Sequence, residues 1–589
     1  MDTIDLNKEI SELLKEIKVF DDLKCNGGEI NEDELNTLNM KLLQKMNIAL
    51  YNIFGYESLK PEQFEVIKSI ISKKDTIAIF ATSAGKSMNF QFPYIITPGS
   101  TIVISPLLSL ILDQYKEMKN RNIDACIFNG TIDLVEINNT KKELLEGKKK
   151  LIFMTPEYFS KSEKFIKSLY EINNLKMICI DECHCVSGWS DFRKSYLELK
   201  KIKEWIPQLP ILGLSATLSV FVLQDVKEIL NLKEPNIFRG DFDRKNLYFD
   251  VSMKTNDTFE KVVKLINDVD KQDYSIIYCL TRDETENVSI KLNERGIKCK
   301  PYHAGLLSEC RDAIQKEFIN GDFRTICATI SFGLGINIPN IKLVIHYNCP
   351  KNLDSYIQET GRAGRSVNIQ AKCYLYYCKK DFVTHMFFLS KMNDEKQRKY
   401  QQEQIAIMEK YCYSSECRRK TILSNFGQIK ENCTNCDNCL KKDLQDKIHK
   451  SNYLNQTYLF LSLLSKFDDK YGSTIFIKTI IGRKIKPEFM ALDEYGKGMS
   501  FGKEEWWTNF VQILKINDFV KLNQIKNSFG STISLTSHGK KWIKKIKENY
   551  PSYSILIKSN VEEKVLFESI EFEEKIKKSV KKMEKITSI

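Results

Sequence analysis

The chain has 589 residues, 42% apolar and 28% charged, with 89 basic against 77 acidic side chains and a formal net charge of +12. That length exceeds one hydrophobic core and suggests roughly four domains at about 150 residues each, while the spread-out basic excess fits a polyanion partner. Seventeen cysteines, an odd number, with Cys179, Cys279, Cys327 and Cys373 in apolar runs, exclude an oxidised framework; without a signal segment or a run of about 18 apolar residues, the expectation is a soluble intracellular protein, nuclear or cytoplasmic, with no membrane.

Residues 1–50 carry Leu6, Ile10, Leu13 and Ile17 at helical spacing, which predicts an accessory helical segment. Over residues 51–240, β-rich runs at Thr76 to Phe80, Thr101 to Ile104, Leu151 to Met154, Met177 to Ile180 and Ile211 to Leu214 alternate with helical stretches. That rhythm predicts a parallel sheet covered by helices on both faces. The first run ends at Ala84-Gly85-Lys86-Ser87. A strand that hands over to a helix through such a turn offers N–H groups and Lys86 to phosphates, and the Ser87 hydroxyl to magnesium. A later apolar run ends in Asp181-Glu182-Cys183-His184, which supplies a metal-side carboxylate, Asp181, and a second one, Glu182, to polarise water. The pair of motifs reads as an ATPase.

The rhythm restarts over residues 241–382, with Ser275 to Cys279, Thr325 to Ala328, Leu343 to Tyr347 and Cys373 to Tyr377, but without a second phosphate loop. This lobe brings Gln358-Glu-Thr-Gly361-Arg362-Ala-Gly-Arg365, a turn with two arginines. Their planar forks suit a developing phosphate charge, so Arg365 or Arg362 is a candidate finger.

Residues 383–450 are charged, helical and then cysteine-clustered: Cys433, Cys436 and Cys439 at regular spacing, with Cys417 or Cys412 upstream. Four thiolates with no open position predict structural zinc. Residues 451–552 read as helices and a hairpin. Within them, 503–535 predict a winged helix, with Trp507, Phe510, Val511 and Leu514 on a core face and a turn at Asn527-Ser-Phe529-Gly530. The turn formers around Phe529 predict an exposed ring at the hairpin tip. Residues 553–589 read as one amphipathic helix with Ile576, Val580 and Met583 on a face.

The ordered segments resemble a RecQ-type DNA helicase of superfamily 2 over roughly residues 45 to 550. They are Phe54-Gly-Tyr56 with Lys60-Pro-x-Gln63, the phosphate loop, Ser105-Pro-Leu-Leu-Ser-Leu-Ile-Leu-Asp-Gln114, Thr155-Pro-Glu157, Asp181 to Arg193, Ser215-Ala-Thr217, Tyr302-His-Ala-Gly305, Phe332-Gly-Leu-Gly-Ile-Asn337 and the arginine turn. The resemblance implies an α/β fold of two tandem RecA-like lobes, a helical zinc-binding domain and a winged helix. It implies ATP and magnesium dependence, 3′→5′ movement, and single-stranded, forked or duplex DNA as partner. Tyr56, Lys60 and Gln63 match the adenine-holding positions, and Thr82, Ser83, Ala84, Gly85, Lys86 and Ser87 the phosphate cradle. His184, Ser215 and Thr217 would link the ATP site to the nucleic-acid side. Trp189, Phe192 and Arg193 match an aromatic loop that senses single strands; His303 and Phe529 are counted with them as DNA-binding. The pattern also selects Cys417, immediately before an Arg-Arg pair, as the fourth zinc ligand.

This sequence departs from the family in three places. Thr-Ser-Ala-Gly-Lys-Ser stands where Thr-Gly-Gly-Gly-Lys-Ser is usual, Lys60 replaces an arginine, and the aromatic loop is one residue short. A positive φ at Ser83 would cost about 1 kcal/mol. The rival readings are an RNA helicase of the same superfamily and a weakly hydrolysing DNA-binding scaffold.

Overall fold

Two fully parallel sheets carry the first 377 residues in a computed structural model, which describes residues 3–25, 31–81, 84–130, 132–187, 194–216, 218–330, 332, 338, 340–366, 368–431, 433–444, 450–525, 530–550 and 566–568. The first sheet contains β1 Thr76–Ile79, β2 Ser100–Ile104, β3 Ala125–Phe128, β4 Leu151–Met154, β5 Leu175–Ile180, β6 Ile211–Ser215 and β7 Asn236–Arg239. Their spatial order is β3-β4-β2-β5-β6-β1-β7. The second contains β8 Leu247–Met253, β9 Tyr274–Tyr278, β10 Cys299–Tyr302, β11 Thr325–Ala328, β12 Ile341–His346 and β13 Ala371–Tyr377, in the order β10-β11-β9-β12-β13-β8.

Strand β6 lies between β1 and β5 and pairs with both, Ile79 opposite Ser215 and Ile180 opposite Gly213. The turns after β1, β6 and β5 therefore leave the same edge of the sheet, where open parallel sheets place their ligands.

The interior strands form because their runs are apolar on both faces; β1, β2 and β4 are buried at every position. The strands β3, β7, β8 and β10, which the apolar rhythm does not predict, are all edges. Each has half-exposed positions, and β7 has no buried residue at all.

Two helices, Thr3–Cys25 and Glu32–Phe54, precede the first sheet and pack against its core through Leu6, Ile10, Leu42, Met46 and Leu50. Asn31 caps the second helix by accepting from Glu34 N at 3.3 Å, and three acidic residues occupy its first turn. No helix among the described residues is long and apolar enough to cross a membrane.

Residues Met1–Tyr377 and Cys417–Cys436 form one compact unit; Cys378–Glu416 and Asp437 onward form another, so the region 383–450 contributes to both. In the second unit, helices Leu454–Ser465, Ser473–Ile480 and Glu504–Ile516 precede an antiparallel hairpin, Val520–Gln524 with Ser531–Leu535, and the helix Ser537–Asn549. Trp507, Phe510, Val511 and Leu514 are buried at the centre of this core. Trp507 Nε1 donates to Gly498 O at 3.0 Å. A Cβ on Gly498 would lie 2.0 Å from Ile480 and 2.6 Å from the Trp507 ring, so the indole sits where only glycine fits.

Leu566–Glu568 is a short strand paired with Lys450–Asn452, which corrects the expectation of an unbroken helix over 553–589. Phe567 lies opposite Ser451, so backbone pairing replaces helical hydrogen bonding there. Ile576, Val580 and Met583 lie outside the described residues.

Candidate active site

Three adjoining strand ends assemble the polar cluster. From β1, Lys86 Nζ lies 3.5 Å from Glu182 Oε1, which follows β5. His184 Nδ1 stands 2.9 Å from the Ser215 hydroxyl at the end of β6 and 3.3 Å from Glu182 Oε2. Ser105, after β2, donates to Asp181 Oδ2 at 3.4 Å.

Electrostatics divide the two carboxylates. Burial and the charge of Glu182 push Asp181 up to about 6. Burial would raise Glu182 as well, but Lys86 and His184 outweigh it and hold Glu182 below the usual carboxylate range. Burial lowers His184 below the ordinary histidine value, against the opposing pull of Glu182. Glu182 also takes a left-handed backbone, φ 50°, which a residue with a Cβ adopts at a cost of about 1 kcal/mol.

Within the phosphate loop, Gly85 has φ +84°, and a Cβ on it would lie 2.6 Å from Gln63 Nε2. This glycine is the indispensable one. Ala84 is not among the positive-φ residues, so its Cβ is carried without backbone strain. Gln63 Nε2 donates to Gly85 O at 3.1 Å and Lys60 Nζ to Ala84 O at 3.1 Å. Both side chains thus face the loop backbone. Tyr56 stacks on Phe54 at 6.4 Å, is half exposed, and lies beneath the Arg121 guanidinium at 6.0 Å. Ser87 precedes the helix Met88–Ile96 as its N-cap.

The arginine turn follows the helix Leu353–Thr360. Arg362 is buried, and its positive charge acts on the buried phenol of Tyr278. Arg365 is less buried, and burial together with Arg362 and Arg244 brings its guanidinium down to about 10. Two residues unmarked in the sequence hold the turn's backbone. Arg244 donates to Ala363 O at 3.1 Å and to Gly364 O, and Asn246 Nδ2 to Gly364 O at 2.8 Å and Ile369 O at 2.8 Å. Gly364 has φ +54°, and a Cβ there would meet Asn246 Nδ2 at 2.6 Å.

His303, counted with the DNA-binding residues, is only 4% exposed, and its Nε2 lies 3.0 Å from Glu286 Oε1. It therefore braces its loop from inside the lobe. Its neighbours Gly305 and Arg282 crowd it: a Cβ on Gly305 would come within 3.1 Å of both. Thr82, Ser83, Trp189, Phe192, Arg193, Thr217 and Phe529 lie outside the described residues.

The sulfurs of Cys417, Cys433, Cys436 and Cys439 all lie within 4.8 Å of one another. Tetrahedral zinc with Zn–S bonds of about 2.3 Å separates its sulfurs by about 3.8 Å, so this donor set fits zinc. Hydrogen bonds from Cys433 and Cys436 lower the Cys417 thiol far below its ordinary value, which favours the ligating thiolate. Cys412 stands outside this group.

Residues 60–226 match the DEAD/DEAH box helicase family, 257–367 the helicase conserved C-terminal domain and 379–440 the RecQ zinc-binding family. A protein of Acanthamoeba polyphaga mimivirus that carries an RNA-helicase name is 33% identical over 525 residues, 87% of this chain and 95% of its own length. The ATP-dependent DNA helicase RecQ of Pasteurella multocida is 32% identical over 518 residues, 87% of this chain and 80% of its own. The bifunctional 3'-5' exonuclease/ATP-dependent helicase WRN of Mus musculus is 32% identical over 91% of this chain, which spans 39% of that protein.

Proposed function

The chain belongs to the RecQ family of superfamily 2 ATP-dependent helicases, and on that premise we propose that it travels 3′→5′ along single-stranded DNA and parts duplex and forked DNA, in replication, recombination or repair. The observation that carries this reading is one polar cluster, Lys86, Asp181, Glu182, His184 and Ser215, on adjoining strand ends of a chain that also holds a four-cysteine centre.

In that reading Lys86 and the loop amides hold the phosphates of ATP. Glu182, kept ionised by Lys86 and His184, orients the attacking water. His184 Nδ1 stands within reach of both Glu182 and Ser215, so movement of the segment after β6 reaches the water-orienting carboxylate. Arg365 is the finger for the transition state, because it is the less buried of the two arginines and Arg362 lies inside the lobe. Tyr56, Lys60 and Gln63 receive the adenine once Lys60 and Gln63 release the loop carbonyls. Ser87 and Asp181 would hold magnesium, which supplies charge neutralisation at the phosphates; two adjacent buried carboxylates sharing one lysine suit a divalent cation. Zinc on the four cysteines has a folding role.

Trp189, Phe192 and Arg193 sense the single strand by stacking. The helices and hairpin of residues 454–549 act as a winged helix on duplex DNA, with Phe529 as a strand-separating pin. Buried free thiols such as Cys179, Cys279, Cys327 and Cys373 support a reducing compartment, the nucleus or the cytoplasm.

Strand displacement with ATP and magnesium on forks and on 3′-tailed, 5′-tailed and RNA-containing duplexes tests the proposal. Unwinding of 3′-tailed and forked DNA is expected; a requirement for a 5′ tail would reverse the polarity. The name of the viral relative, matched over 95% of its length, favours RNA as a second reading. Hydrolysis stimulated by RNA and not by DNA would establish it.

A further inference from the structure

The aromatic pair Phe54 and Tyr56 lies under a cation to which the hydrolysis chemistry above gives no task. The helix Glu32–Phe54 ends at Gly55, whose φ of +72° turns the chain and whose N–H closes the helix on Tyr51 O at 3.0 Å. The segment beyond is fastened at its far end. Leu59 N donates to Asn47 Oδ1 at 2.9 Å, and Lys60 N to Gln63 Oε1 at 3.0 Å. Between these anchors Tyr56 stands 50% exposed, directly after a glycine, the residue that restrains a backbone least.

Arg121 supplies the restraint that the backbone lacks. It follows the helix Leu108–Asn120 as its C-cap, and every part of its guanidinium is used. Nε lies 3.5 Å from Glu117 Oε1, one turn back in the same helix. Nη1 donates to Phe54 O at 3.3 Å, across 67 positions of sequence. The guanidinium carbon lies over the Phe54 ring at 5.3 Å and over the Tyr56 ring at 6.0 Å.

The two rings are nearly parallel, with planes 8° apart and centres separated by 6.4 Å. Three such similar separations form a triangle, so the guanidinium spans both rings from one side instead of lying between them. A cation so placed attracts both π-systems. A basic residue at a helix end needs only its own carbonyls and water, whereas the bond to Phe54 O and the double ring contact reach a separate segment. That segment also carries Lys60 and Gln63, which donate to the phosphate-loop carbonyls of Ala84 and Gly85.

We propose that Arg121 is a positioning residue for the nucleobase, holding the Phe54–Tyr56 pair as a fixed platform on which the base of ATP stacks. A ring that is already ordered loses less freedom when the base arrives. The inference rests on the reading that Tyr56 receives the adenine.

The test is steady-state ATP hydrolysis by the full chain with magnesium and saturating oligothymidylate, and with inorganic tripolyphosphate as a competitor that has the phosphates but no base. Arg121→Gln is expected to raise the KM for ATP about fivefold, through loss of the cation over the rings and of the order it imposes. Its kcat should stay within about twofold of the parent, as loss of uniform binding requires. The inhibition constant of tripolyphosphate should not change. Arg121→Lys, which keeps the charge without the planar fork, should recover part of the KM. Tyr56→Ala should raise the KM at least as far as Arg121→Gln, and the two together no further than Tyr56→Ala alone.

A parental KM in Arg121→Gln beside a raised KM in Tyr56→Ala overturns the inference alone. So does an inhibition constant for tripolyphosphate that rises with the KM, because the arginine would then support the phosphate loop and not the base. Effects of the two substitutions that add in full overturn it as well. A parental KM in Tyr56→Ala refutes the underlying reading, and the inference falls with it.

Discussion

Lys86 Nζ lies 3.5 Å from Glu182 Oε1, so the phosphate-loop cation and the water-orienting carboxylate neutralise each other across two strand ends. Each substitution at this pair therefore has two effects, one on its own chemistry and one on the charge left behind.

Lys86→Ala is expected to lower ATP turnover by about a hundredfold or more through loss of phosphate contact, with single-strand binding largely retained. Glu182→Gln should still bind ATP, whose phosphates can balance the charge left on Lys86, while turnover falls by about 10²-fold to 10⁴-fold through loss of the base. Phosphate release paired with nucleotide-binding titration separates the two. Normal release by either purified variant would remove that residue from the site.

For the arginine turn, Arg365→Ala should lower kcat by about 10³-fold with little change in nucleotide affinity, because a finger meets the transition state. Normal hydrolysis by Arg365→Ala together with failure of Arg362→Ala transfers the role to the earlier arginine.

The order of the site motifs is legible in the sequence because their chemistry needs neighbouring residues: a lysine beside a loop glycine, two carboxylates at one strand end. The supports of the site are not legible, because they arrive from far away in the chain. Asn246 reaches Gly364 across 118 positions and Arg244 reaches Ala363 across 119. Neither belongs to a local pattern. The left-handed backbone of Glu182 is equally hidden, since no glycine marks it. In the fold, burial on both faces makes interior strands conspicuous, whereas β7, with no buried position, lacks any apolar run to read.

Elemental analysis of protein purified without chelators should find one zinc per chain, held by Cys417, Cys433, Cys436 and Cys439. Cys436→Ser should lose the metal and unfold at lower temperature. Zinc that persists in Cys417→Ser but leaves Cys412→Ser would reassign the fourth ligand.

Phe529→Ala should slow unwinding while DNA-stimulated hydrolysis and single-strand binding stay near those of the parent, as a pin that parts base pairs requires. Parallel loss of all three activities would indicate a folding defect. Unwinding at the parental rate would show the tip to be dispensable.

Asp243, just before the second sheet, has a carboxylate that is almost wholly buried and paired with Arg419 at 2.7 Å and with Lys430. Arg419 also donates to Arg244 O and Leu247 O at 2.7 Å each, and Phe426 stacks on Phe242 at 4.9 Å. A chain cut after Tyr377 would keep every strand of both sheets yet strand an anionic side chain in the interior and strip the backbone next to Asn246 of its donors. A minimal motor fragment must therefore extend through the cysteine-bearing segment, and proteases that nick between Tyr377 and Cys417 should leave the nicked halves associated.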